Sequence, residues 1–169
     1  EERVKSSKHL DGFIPGEGAG FVLLANRGAA EKLGLPIRAI VSPLADGFEE
    51  GHLGSETPYK GGGLAGTFQK LFQTAEIKEP IREVYSSMNG ENHWAKEWGV
   101  AFLRNKAAFD PTHGMHHPAD CFGDTGAACG PILTGLAAIG MAQGYRRSPG
   151  LIYASSDRGE RAVVSLRST

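Results

Sequence analysis

Gly12-Phe13-Ile14-Pro15-Gly16-Glu17-Gly18-Ala19-Gly20 runs directly into Phe21-Val22-Leu23-Leu24-Ala25. An unbroken apolar run after a glycine-rich approach reads as a strand covered on both faces, the pattern of a sheet buried between helices. Working outward from it, Asn26 is placed to cap a helix over residues 27–33, with Gly34 as its stop and Pro36 just beyond. Residues 37–44 read as a strand and residues 46–63 as a loop rich in Gly, Pro and charge. In the helix expected over residues 64–74, Leu64, Phe68, Leu71 and Phe72 fall on one face. Residues 81–86 form the next strand, and a helix from about Glu91 to Asn105 carries Trp94, Trp98, Ala101 and Phe102 at helical spacing. A loop over 110–124, an apolar helix over 125–143, and two strands over 151–155 and 162–166 complete the chain. Strands alternating with helices and closing on an antiparallel pair indicate a layered α/β domain.

The 169 residues suit one domain with a sizeable core, and 40% apolar with 22% charged residues excludes disorder for most of the chain. A formal net charge of −1 argues against nucleic acid as a partner, because phosphate binding needs clustered excess Lys and Arg. Cys121 and Cys129 are too few for a disulfide framework, which fits a reducing, cytoplasmic setting. The stretch from Gly126 to Ala142 is apolar, yet Gly130, Pro131, Gly135 and Gly140 interrupt it, so it reads as a buried core helix with no membrane role. The chain opens on Glu1-Glu2-Arg3 without Met and reads as a piece of a longer polypeptide.

With Asp11 in front, the segment 11–20 resembles the Asp-Gly-Phe-x-x-Gly-Glu-Gly-Ala-Gly signature of the β-ketoacyl-acyl-carrier-protein synthases, of the thiolase-like superfamily. Gly126-Ala127-Ala128 is similar to the family's Gly-His-x-x-Gly-Ala-Ala segment, and residues 155–166 resemble its closing glycine-rich turn and strand. The resemblance implies the thiolase-like layered αβαβα fold. On that reading, residues 1–25 are the final strands of the N-terminal half and residues 26–169 are the C-terminal domain. It also implies acyl thioesters on acyl carrier protein or coenzyme A as substrates, and no cofactor.

Enzymes of that family use a Cys nucleophile and groups that stabilise developing negative charge. The nucleophile belongs upstream of Glu1. Aligned on the family's His-Gly-Thr motif, Asn89 takes the His position and Glu91 the Thr position. Thiolases carry an Asn-Glu-Ala-Phe motif there, whose Asn orients a water; the alternative is that Asn89 only shapes a strand-to-helix turn. Counting back from Gly126 puts Gly123 at the second His. His116, His117, Asp120, Asp124 and Thr125 become candidate replacements, of which Asp124 and Thr125 also suit helix capping. On the following helix Trp94 and Trp98 are expected to pack inward and His93 to look into the pocket, and Gly159 lies in the closing turn. The catalytic candidates are therefore Asn89, Asp124 and His93; the substrate-binding candidates are Glu91, Gly123, Thr125 and Gly159.

His113, His116, His117, Asp120 and Cys121 offer zinc-type ligands without a recognised spacing, so a solvated loop and no metal is the reading. Gly61-Gly62-Gly63 has amides for a phosphate but reads by default as a flexible loop. The expected function is the C-terminal portion of a β-ketoacyl-synthase-like acyltransferase, inactive by itself; the alternative is a chain-length-factor-like, non-catalytic partner subunit. Self-association is expected from the apolar surface that a missing mate would leave exposed.

Overall fold

The computed structural model describes residues 3–74 and 76–169. Its elements in chain order are α1 (Arg27–Lys32), β1 (Ile40–Phe48), α2 (Gly62–Phe72), β2 (Ile81–Ser86), α3 (Asn92–Asn105), β3 (Phe109–His116), α4 (Ala119–Phe122), α5 (Cys129–Ala142), β4 (Gly150–Ser155) and β5 (Glu160–Arg167). They build one five-stranded sheet in the order β1-β5-β4-β2-β3. β4 and β3 flank β2 in parallel, while β5 runs antiparallel to both β4 and β1.

Alternation along the central strands sends side chains to two cores. Val84, Leu151 and Tyr153 point to the side covered by α2 and α3, where they meet Leu64, Phe68, Leu71 and Ala101. Their neighbours Tyr85 and Ile152 point the other way, to Leu133, Ala137 and Met141 of α5. The result is a sheet between helical layers, the α/β layering expected of half a thiolase-like molecule. Aromatic contacts tighten the first core: Trp98 stacks on Tyr153 at 5.6 Å, and Phe68 meets Tyr153 edge-on at 5.5 Å.

Three expectations need correction. Residues 21–25 form no strand: Phe21 is 97% exposed, Leu23 77% and Leu24 71%. An apolar run becomes a strand only where a ladder partner exists, and the described residues supply this segment none; the isolated bridges lie ahead of it, Phe13 to Val4 and Pro15 to Asp124. The loop expected over 110–124 contains β3 and α4. Pro111 and Gly114 disguised β3, and both are tolerable because it lies at the sheet edge. A Cβ at Gly114 would push on Glu83 Oε2, the oxygen that His116 holds. Finally, β1 continues through Phe48, and α5 proper starts at Cys129 after a tight 3-10 turn over Gly126–Ala128. Among the described residues, no helix is long and apolar enough to cross a membrane.

Candidate functional site

The carboxyl ends of β2 and β4 and the start of α5 open on one side of the sheet, where ligands of α/β folds bind. β2 ends at Ser86, whose hydroxyl accepts from the Met88 amide and turns the chain. Gly90, at φ +99°, then allows entry into α3. Asp11, from the far N-terminal segment, accepts the Asn92 amide at 2.8 Å and so supplies the side-chain cap that Glu91 does not.

This turn aims the Asn89 amide at two carboxylates. Nδ2 donates to Asp124 Oδ2 at 2.7 Å and to Glu91 Oε2 at 3.0 Å. Asp124 also accepts the Gly126 amide on Oδ1, and its own backbone is tied to Ile14 and Gly16. The Arg3 guanidinium grips Glu91 through Nε and Nη2, at 2.7 and 2.6 Å, and reaches Asp157 with Nη1 at 2.6 Å. The N-terminal segment thus straps α3 to the turn between β4 and β5.

Glu91 is 7% exposed. Burial pushes its carboxyl upward, but hydrogen bonds from Arg3, Asn89 and Trp94 outweigh that and hold it below the ordinary carboxylate range. A carboxylate depressed in the folded state adds stability above its unfolded pKa, and the contribution drains away as pH falls through the folded value. Arg3→Met is therefore expected to cost stability most at neutral pH, where the contribution is fully present, and so to move the acid-unfolding midpoint upward. Far-ultraviolet circular dichroism against pH reads it; an unmoved midpoint would show that the strap carries no energy.

A cleft of about 660 Å³ lies beside the turn, lined by Asn89, Trp94, Asp124, Cys129, Ser155 and Arg161 among others. The structure thus brings Asn89, Glu91 and Asp124 together with Gly123 next in sequence. Gly123 itself offers no room for an imidazole: φ is +81°, and a Cβ would stand 2.7 Å from the Gly16 backbone. His93 is not among the residues lining the cleft; its ring packs 5.1 Å from Tyr59 and 4.7 Å from Trp94. Gly159 is a turn residue at φ +108°, where a Cβ would meet the Phe48 ring at 2.6 Å, and it does not line the cleft either. Thr125 makes no side-chain cap; its carbonyl accepts the Ala128 amide of the 3-10 turn. Cys129 does line the cleft, but burial and then Asp124 push its thiol up to about 11, so it is a poor nucleophile near neutrality. The amides of the glycine run at 61–63 are not all free, since buried Glu49 accepts from Gly63 at 2.7 Å.

Sequence reasoning missed the cleft's buried floor. Arg161 and Glu97 pair at 2.7 Å with side chains 0% and 1% exposed, and Ser155 donates to the other Glu97 oxygen. A signal existed: Glu97 shares the helical face of Trp94, Trp98 and Ala101, and Arg161 alternates in register with buried Val163 and Ser165.

No family model and no curated protein matches the sequence. Solved structures do. The ishigamide ketosynthase/chain length factor superposes with a TM-score of 0.79 at 17% identity, over 94% of this chain and 45% of that one. A type II polyketide synthase acyl-carrier protein in complex with its ketosynthase bound to the hexaketide gives 0.80 at 17%, with the same coverages. The oxazolomycin ketosynthase domain of Streptomyces albus JA3453 gives 0.71 at 17%, over 94% and 36%. The chain spans less than half the length of these proteins. What the described residues fold into is the thiolase-like architecture of the ketosynthases and chain length factors.

Proposed function

We propose that this chain is the C-terminal portion of a β-ketoacyl-synthase-like protein, whose cleft holds an acyl thioester carried on acyl carrier protein or coenzyme A and which forms no carbon–carbon bond by itself. One observation carries the reading: the Asn89 amide is spent on two carboxylates, Glu91 and Asp124, at the place where a condensing site needs donors. Developing enolate or oxyanion charge is stabilised by N–H and cationic groups and opposed by carboxylates. Arg3, which reaches that turn, is already bound by Glu91 and Asp157. Of the two described thiols, Cys121 lies exposed on α4 outside the cleft's lining, and Cys129, which lines it, has its thiol pushed up by burial.

The same carboxylate pair favours a second reading, a chain-length-factor-like partner that shapes the space for a growing chain on an active synthase. The naked run Phe21–Leu24, together with coverage of less than half of the similar chains, supports a mate that covers this surface, from the same polypeptide or from a second copy. A cytoplasmic location is consistent with both readings.

The test pairs binding with chemistry. Octanoyl-coenzyme A should raise the melting temperature of the protein, coenzyme A alone should do so less, and incubation with malonyl-coenzyme A should yield no condensed product and no acylated cysteine by mass. A condensed product, or acyl mass on Cys129, would overturn the non-condensing reading; an unmoved melting temperature would overturn thioester binding.

A further inference from the structure

The floor of the cleft holds a donor that the fold leaves over. Arg161 is fully buried and lines the cleft beside Ser155, Ser156 and Ala162. Its Nε donates to Glu97, and its Nη1 donates to the carbonyls of Ser156 and Glu160. Nη2 has no acceptor, although a guanidinium carries donors on all its nitrogens and an unmet buried donor is costly. The group is also held in place, because Glu97 is itself fixed by Ser155 and the Trp94 ring lies 5.6 Å from the guanidinium carbon.

We propose that Arg161 is a specificity-determining residue, whose free Nη2 reads a neutral oxygen on the bound acyl chain and so favours keto-bearing chains over saturated ones. The proposal rests on the thioester-binding reading above. A neutral acceptor fits better than an anion for two reasons. Glu97 already balances the guanidinium charge at 2.7 Å. The cleft is lined further by Asp46, Asp124, Asp157 and Glu160, whose field opposes a second negative group. A carbonyl meets the hydrogen-bonding need without adding charge, whereas a saturated chain leaves Nη2 buried and unmet.

Acetoacetyl- and butyryl-pantetheine have acyl chains of equal length and differ in the keto oxygen, so calorimetric titration of the protein with each isolates that atom. Acetoacetyl-pantetheine is expected to bind about tenfold more tightly, the scale of one hydrogen bond to a charged donor. In Arg161→Lys the ammonium can keep Glu97 paired but lacks the second arm of the fork, and the preference should fall to near unity. Should that variant fail to fold, nitrogen-15 spectra of the native protein serve instead: the Arg161 Nη resonances should move with acetoacetyl- and not with butyryl-pantetheine. Equal affinities in the native protein, a preference unchanged in Arg161→Lys, or unmoved Nη resonances would overturn the role of Arg161 and leave thioester binding standing. Binding of neither compound would overturn both.

Discussion

Glu97→Ala is expected to lower the unfolding free energy by about 3–5 kcal/mol, because it strands a guanidinium charge in the interior. The pair is dry: Arg161 and Glu97 side chains are 0% and 1% exposed, with Nε to Oε1 at 2.7 Å. The loss reaches further than one contact. Ser155 sits opposite Arg161 in the β4–β5 ladder and donates to Glu97, so the variant also frees the strand end that forms one wall of the cleft. Urea unfolding followed by tryptophan fluorescence measures the change, since Trp94 and Trp98 flank Glu97 on α3. Adding Arg161→Met should restore part of the loss, because it removes the stranded charge, the remainder being the cavity left by the smaller Ala–Met pair. A single variant within about 1 kcal/mol of the native protein would mean that water reaches this pair, contrary to its burial.

Gly123→Ala should be nearly as damaging, at about 3 kcal/mol, from two separable causes. The first is the backbone: φ +81° with ψ 177° is a region closed to side-chain-bearing residues, at about 1–3 kcal/mol. The second is overlap, because the new Cβ would stand 2.7 Å from Gly16 N and Cα, adding about 1–3 kcal/mol of overpacking. Relief requires the Gly16 amide to leave the Asp124 carbonyl, now 2.8 Å away, and that drags Asp124 from Asn89. Gly126→Ala is the control: its φ of +56° is also positive, but nothing lies within 4 Å of the added carbon, so only the conformational cost, about 1 kcal/mol, should appear. Equal effects from the two substitutions would remove the steric argument. The same geometry means that Gly123→His cannot install an imidazole in the cleft without moving the Gly16 segment.

How far the sequence could be read depended on whether a residue's environment was set by its neighbours in the chain. The Asn26 cap was legible, its side chain accepting from Ala29 at 2.8 Å, because a cap needs only the next turn of helix. β2 appeared with its sequence-expected bounds, Ile81–Ser86, since its apolar and β-branched residues serve both cores. β3 was not legible, because Pro111 and Gly114 carry the marks of a loop and only the partner strand β2 turns that stretch into a sheet edge. The run 21–25 failed in the opposite direction, its composition announcing a strand that finds no partner among the described residues.

The candidate site divides in the same way. Counting along motifs named Asn89 and Glu91, with Asp124 next to the counted Gly123, and hydrogen bonds join the side chains of the three. The candidates named on position alone divide: Gly123 stays beside Asp124 but with the Gly16 backbone where a side chain would stand, while His93 packs on Tyr59, Gly159 faces Phe48, and neither lines the cleft. Arg3 and Asp157, separated by 154 residues, meet only because the N-terminal segment folds back over the β4–β5 turn.

From its own amino acids this chain determined the layered α/β class, the faces of α2 and α3, and the turn that presents Asn89, all of which follow from short-range periodicity and the steric rules of single turns. The charge balance of the cleft was decided only in three dimensions. Whether Glu97 is a solvated helix residue or the partner of a buried arginine, and whether Asn89 donates to a ligand or to two carboxylates, depends on groups brought from distant strands. Electrostatic energy depends on separation and burial, and neither is a property of position along the chain.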